Sequence, residues 1–224
     1  MNCFSTTMGK MASAQKAEDK NPREQEPQGR IRLVKALLSC LADYGYQGTS
    51  LRRVAERAQV TAGLVRHHFD SKDALFVEAY RQINQDALDR MAVAIEDEGR
   101  AGQPALPSDL GADLAASVRA FFPDDLQDPQ QMRVMVAFWG LVMTQPEIAA
   151  IQKSTYDAFQ DHFVAVMERH LGPRDDLGEI ANGIIAIADG LWLECCLNPE
   201  RMHGEQSISI AIDFARTRLG LPGQ

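Results

Sequence analysis

The stretch from Thr49 to Lys72, TSLRRVAERAQVTAGLVRHHFDSK, constrains this chain more than any other, because it suits two short helices joined by a tight turn. Leu51, Val54, Ala55 and Ala58 recur on one face of a first helix. Thr49 or Ser50 stands where a side-chain oxygen can accept from the free N–H groups of its first turn. Gln59-Val60 supplies the turn. Thr61 can cap a second helix in which Leu64, Val65 and Phe69 point inward, leaving Thr61, Ala62, Gly63, Arg66 and one or both of His67 and His68 outside. This is a helix-turn-helix pattern, in which the second helix enters the major groove by its N-terminal end. Ala62 and Gly63 are small enough to let that end approach base edges. Arg52, Arg53, Arg66 and Lys72 flank it as cations of the kind that hold phosphate oxygens. The same spacing also describes an ordinary helical hairpin with a solvated basic face.

The run from Ile31 to Leu75, above all TSLRRVAERAQVTAG followed by HHFDSKDAL, resembles the N-terminal domain of the TetR family of one-component regulators. The resemblance implies an all-α fold: a three-helix DNA-binding domain joined by a long helix to a helical ligand-binding and dimerisation domain. Together with the helix-turn-helix pattern it gives Thr49, Ser50, Arg52, Thr61, Ala62, Gly63, Arg66, His67, His68 and Lys72 as the candidate DNA-contact residues. Two positions depart from the family pattern. Gln59 stands where glycine is common, which predicts a left-handed residue in the turn, at some cost. Arg66 stands where an aromatic is common, which leaves its choice between base and phosphate open.

A net charge of −8 would ordinarily argue against a nucleic-acid partner, but the charge is unevenly placed. Residues 1–75 hold 12 Lys+Arg against 8 Asp+Glu (+4), and residues 76–224 hold 11 against 23 (−12). A basic front on an acidic body orients the molecule towards a polyanion. Cys3, Cys40, Cys195 and Cys196 show neither metal spacing nor a disulfide framework, and read as small apolar fillers in a reducing compartment. No uncharged apolar run reaches eighteen residues, and the N-terminus lacks the apolar core of a signal peptide, so a cytoplasmic location with no membrane contact is expected.

Residues 1–28, rich in Lys, Glu, Gln, Ser and Pro, read as a disordered tail, so the expected divisions are 1–28, 29–75 and 76–224. Ile31, Val34, Leu38, Leu41 and Gly45 mark a first helix behind the helix-turn-helix. Asp70 or Ser71 starts a long one with Leu75, Phe76, Ala79, Ile83, Ala87, Met91 and Ile95 on one face. At roughly 25 residues it would span close to 40 Å and act as a connecting rod. Further helices are expected over Ser108–Phe122, over Met132–Thr144 (with Met132, Val136, Trp139 and Met143 along one side) and from Pro146 to about His170, with loops at Gly99–Pro107 and Pro123–Pro129. No stretch alternates with period two. The segment Glu179–Leu197 is apolar nearly all round, as is much of 205–219. A two-fold four-helix bundle made from these last two helices of two chains accounts for both, and gives a homodimer that can read a palindromic operator in double-stranded DNA.

The segments AFWGLVMTQPEIAAI and ADGLWLECCLNPE further resemble the C-terminal domain of the BetI-type regulators, which govern glycine betaine synthesis from choline. That resemblance implies a small-molecule effector, with a quaternary ammonium compound such as choline as the candidate. Phe138, Trp139, Tyr156 and Trp192 are its candidate aromatic walls, and Asp189 (or Glu194) its counter-charge. Release from DNA would follow a shift between two separations of the reading heads, transmitted by the long helix. Two rival classes are weaker. An enzyme finds no catalytic residues: adjacent histidines diverge on a helix, no nucleophile is paired with a base, and no HExxH or glycine-rich phosphate loop occurs; nor is a metal or cofactor implied. A helical dimer whose C-terminal domain is only an interaction module, without a ligand, would have no use for the cations around the second helix.

Overall fold

A computed structural model describes residues 22–96, 110–122 and 128–221. Among the described residues the chain forms nine helices and no strand. The first four are α1 (Pro22–Gly48), α2 (Leu51–Ala58), α3 (Ala62–His68) and α4 (Lys72–Glu96). The rest are α5 (Leu110–Phe121), α6 (Pro129–Val142), α7 (Pro146–Leu171), α8 (Leu177–Leu197) and α9 (Gly204–Leu219). Proline at the first turn of α6 and α7 and glycine after α7 and α9 set these limits. α1 begins at Pro22, so residues 22–28, assigned to a tail by composition, are helical. The remainder of that tail lies outside the described residues, as do the loop expected at 99–107 and most of the one at 123–129.

Two cores share α4. The first joins Leu33, Val34, Leu37 and Leu41 of α1 to Val54, Ala55 and Ala58 of α2, Val65 of α3, and Leu75, Phe76, Ala79 and Tyr80 of α4. It does not stop at residue 75. Val134, Phe138 and Leu141 of α6 and Ile148 of α7 belong to it, and Phe138 stacks on Tyr80 at 4.6 Å and meets Phe76 edge-on at 6.0 Å. The second core gathers Met91 of α4 with Leu110, Leu114 and Val118 of α5, Phe159 and Phe163 of α7, Ile180 and Ile184 of α8, and Ala211 and Ala215 of α9.

Two stripes face differently from the expectation. On α1 the inward residues are Leu33, Val34, Leu37 and Leu41, while Ile31 is exposed. On α6 Met132 is buried as expected, with Val134, Phe138 and Leu141, but Val136 and Met143 are exposed and Trp139 is half-buried. Both i, i+3/i+4 rows of α6 are apolar, so periodicity alone could not choose between them.

Polar contacts fix the remaining registers. The Tyr46 hydroxyl donates to Asp73 Oδ1 (2.9 Å) and accepts from Gln145 Nε2 (3.0 Å), tying the end of α1 to the start of α4 and to the α6–α7 turn. Buried Asp113 of α5 meets His170 Nε2 of α7 at 2.7 Å, and Cys195 Sγ of α8 meets Ser207 Oγ of α9 at 2.9 Å. At Gly183 a Cβ would stand 2.7 Å from the Phe214 ring, so α8 and α9 touch there because the side chain is absent.

Phe138→Ala removes the aromatic that joins α6 to α4 inside the first core, and should lower stability by roughly 3–5 kcal/mol. Urea denaturation should show the midpoint falling with little change in slope.

Candidate functional site

The helix-turn-helix is built by local capping. The Ser50 hydroxyl accepts from Arg53 N at 3.3 Å and starts α2. Gln59 closes α2 in the left-handed conformation (φ 56, ψ 44) that its place in the turn predicts. The Thr61 hydroxyl accepts from Leu64 N at 3.3 Å and starts α3. Val65 and Phe69 anchor α3 inward, whereas Leu64, expected inside, is 37% exposed and joins the outward face of Thr61, Ala62, Gly63, Arg66 and His67. The helix that would meet a groove is thus small, polar and open on its outer side.

Not every residue assigned to DNA contact lies on that surface. Thr49 is buried and its hydroxyl donates to Gly45 O at 2.8 Å, so it closes α1 instead of facing outward. Lys72 Nζ donates to Tyr46 O at 2.6 Å and sits 3.9 Å above the Tyr46 ring, where burial lowers its pKa; it braces the start of α4. His68 is half-buried, with Nε2 against the Cβ position of Gly29, and its carbonyl accepts from the Arg30 guanidinium, which also lies over the Phe69 ring. Arg30 docks α3 onto α1, a role that sequence reasoning missed because its partners are 38 and 39 residues away. On α2, exposed Arg52 pairs with Glu56 (2.9 Å), while Arg57 pairs with Asp43 (2.7 Å).

Between the two cores lies a cavity of about 440 Å³, walled by α1, α4, α6, α7, α8 and the end of α5. Tyr156, Phe159, Phe121 and Trp192 give it aromatic faces; Asp86, Asp128 and Asp189 give it carboxylates against one guanidinium, Arg90. A second, more open cavity of about 400 Å³ lies beside Trp139, Met143, Gly190 and Leu193, and Tyr156 and Asp189 form the wall that the two share. Of the five candidate effector residues, Tyr156, Asp189 and Trp192 therefore meet at the inner cavity and Trp139 lines only the outer one, edge-on to Trp192 at 6.4 Å. Phe138 lines neither. It is packed in the first core, where an apolar ring gains most from burial.

Asp189 is the electrostatic centre. Burial pushes its pKa up to about 6, a rise held back by the hydrogen bond that the Tyr156 hydroxyl donates to Oδ2. Burial and the neighbouring carboxylate in turn push the Tyr156 phenol well up, and burial moves Tyr80 to about 12. Burial makes the ionised form of Asp189 costly, and a positive charge beside it would offset that cost.

Comparison with known proteins agrees with both halves. Residues 33–79 match the family described as bacterial regulatory proteins, tetR family, and residues 111–220 match the BetI-type transcriptional repressor, C-terminal family. An HTH-type transcriptional regulator BetI from Burkholderia mallei is 30% identical over 188 residues, covering 83% of this chain and 90% of that protein. Another from Cronobacter sakazakii is 27% identical over 194 residues, 87% and 92% of the two chains. Among solved structures, a putative transcriptional regulator from Pseudomonas aeruginosa PAO1 superposes with a TM-score of 0.74 at 28% identity, covering 92% of this chain and 97% of that one. The fold is also that of a putative transcriptional regulator from Saccharomonospora viridis in complex with choline (TM-score 0.63, 17% identity, 87% and 96% covered).

Because the Asp189 pKa is raised on folding, its contribution to stability is complete below the unfolded carboxylate pKa and is lost as pH rises through about 6. Asp189→Asn keeps an oxygen for the Tyr156 hydroxyl and removes that loss. Its Tm should exceed the parent's by roughly 3–6 °C at about pH 8, with the gap narrowing at about pH 5.5; differential scanning fluorimetry at the two pH values measures it.

Proposed function

From the premise that this chain belongs to the TetR family of bacterial regulatory proteins and carries a BetI-type C-terminal domain, we propose how it performs its regulation. It is a DNA-binding transcriptional regulator, of a family whose members are regulators and not enzymes. Its reading surface is the outer face of α3: Thr61, Ala62 and Gly63 approach base edges, and Arg66 contacts base or phosphate. Ser50 and Arg52 of α2 face the backbone beside it. The observation that carries this is the short α3, capped by Thr61, with its small residues outward and Val65 and Phe69 rooted in the first core.

Two copies act together through α8 and α9. α8 is long and apolar enough by composition to cross a membrane, yet only a third of its apolar window is buried within one chain. Asn182, Ala186, Gly190 and Leu197 on α8, with Gln206, Ile210, Asp213 and Thr217 on α9, are exposed at helical spacing along the outer sides of the two helices. A second chain covering these sides completes a four-helix bundle and sets two α3 helices about one turn of DNA apart. In the cytoplasm such a dimer represses by occupying a palindromic operator.

The inner cavity holds the effector. Three carboxylates against one guanidinium, aromatic faces and a half-buried Asp189 suit a small organic cation, and choline, bound by a neighbour of the same fold, is the first compound to try. Binding one conformation of the dimer more tightly shifts its population, and a coupling of about 1–3 kcal/mol changes operator affinity about 5–150-fold.

Fluorescence anisotropy with the DNA flanking the gene should reveal saturable, steeply salt-dependent binding, and binding that ignores salt refutes the regulator reading. In that assay Arg66→Ala should weaken operator binding by about 1–3 kcal/mol. Ala186→Arg, at the centre of the outer side of α8, should give a folded monomer by light scattering that no longer binds the palindrome as a unit. Choline should shift the thermal melt of the parent, and Asp189→Asn should abolish that shift.

A further inference from the structure

We propose that the effector cavity includes the DNA-binding unit itself: Ser39 of α1 is a ligand-contact residue, and an occupant reaches the helix-turn-helix by contesting the hydrogen bond that Ser39 receives from Arg57 of α2. The inference rests on reading the inner cavity as the effector site and adds a wall and a route to it.

Leu38, Ser39 and Ala42, within little more than one turn of α1, line the cavity opposite residues of α4 and α6–α8. α1 is also the helix against which α2 and α3 pack. The Ser39 hydroxyl accepts from the Arg57 guanidinium, so a single hydrogen bond separates the cavity from the supporting helix of the reading head. Arg57 lies in the last turn of α2, two residues before the left-handed Gln59 that closes the helix. The same guanidinium pairs with Asp43 at 2.7 Å and lies over the Tyr44 ring at 5.8 Å, and the Arg32 side chain donates to Ala58 O at 2.8 Å. The seating of α2 on α1 is therefore polar at this edge, and one of its anchors faces the cavity. A hydroxyl has one proton and two lone pairs; a ligand donor or a bulky head placed at Ser39 competes with Arg57 for that oxygen or turns it away. Replacing one such bond costs little, so the contact suits a switch better than a permanent clamp. The ligand class that fits has a cationic end at Asp189 and a hydrogen-bonding end that reaches α1.

The test needs no knowledge of the natural ligand. Met135→Cys places a thiol on the α6 wall of the cavity, and 2-(trimethylammonium)ethyl methanethiosulfonate then fills the cavity covalently with a quaternary ammonium group. The parent protein, with its native cysteines, is treated in parallel as the blank. Operator affinity is measured before and after filling, in Met135→Cys alone and combined with Ser39→Ala or with Arg57→Gln, each checked for cooperative melting. The expected result is at least a tenfold loss on filling Met135→Cys, cut at least threefold by both second substitutions. If filling weakens DNA binding and neither substitution changes the response, the route through Ser39 is overturned while the effector cavity stands. If filling leaves DNA binding unchanged, the effector reading fails and the inference falls with it.

Discussion

One rigid helix serving two cores is the constraint on which the rest of this structure depends. α4 gives Leu75, Phe76, Ala79 and Tyr80 to the core beneath the helix-turn-helix and Met91 to the core of α5 and α7–α9. Its 25 residues span roughly 37 Å with no flexible segment between the two. Such a helix cannot bend freely to satisfy one core at the expense of the other, so any change in packing at its far half is felt at its root. The cavity lies at the place where the two cores would otherwise merge, which is why six helices contribute to its walls.

The rod is not the whole connection. α6 is laid against α1 by Val134, Phe138 and Leu141, and the α6–α7 turn is fastened to Tyr46 by Gln145, with Tyr46 in turn bonded to Asp73. The reading unit is thus held at three places, through α4, through α6 and through the turn. Population shift in such a body means exchanging one set of packed contacts for another, since a close-packed interior does not deform continuously. A cavity bounded by α1, α4 and α6 together sits among these attachments.

Charge divides the molecule in a complementary way. The acidic balance of residues 76–224 is partly drawn inward, where Asp86, Asp128 and Asp189 border the cavity, while the basic surplus of residues 1–75 is spent partly on structure. Arg30, Arg57 and Lys72 hold helices together, and Lys72 does so with an ammonium turned onto the Tyr46 carbonyl and ring. Counting cations near a helix-turn-helix therefore overstates how many face the duplex.

Local chemistry made much of this legible. The helix limits, the caps at Ser50 and Thr61, the left-handed Gln59 and the apolar α8 follow from proline, glycine, capping residues and period, which act within a few positions along the chain. Three of the candidate effector residues, Tyr156, Asp189 and Trp192, line one cavity. Misreadings share a cause of longer range: whether Val136 or Phe138 turns inward on α6, whether Thr49 and Lys72 face out, and whether Phe138 lines a cavity depend on partners on other helices. The sequence by itself determined most of the helical segments and the helix-turn-helix among them, because those are matters of period and of neighbouring side chains. Only the tertiary structure decided that α1 is a wall of the cavity and that Asp189 stands between two chambers, because burial and its electrostatic cost exist only once distant helices have packed.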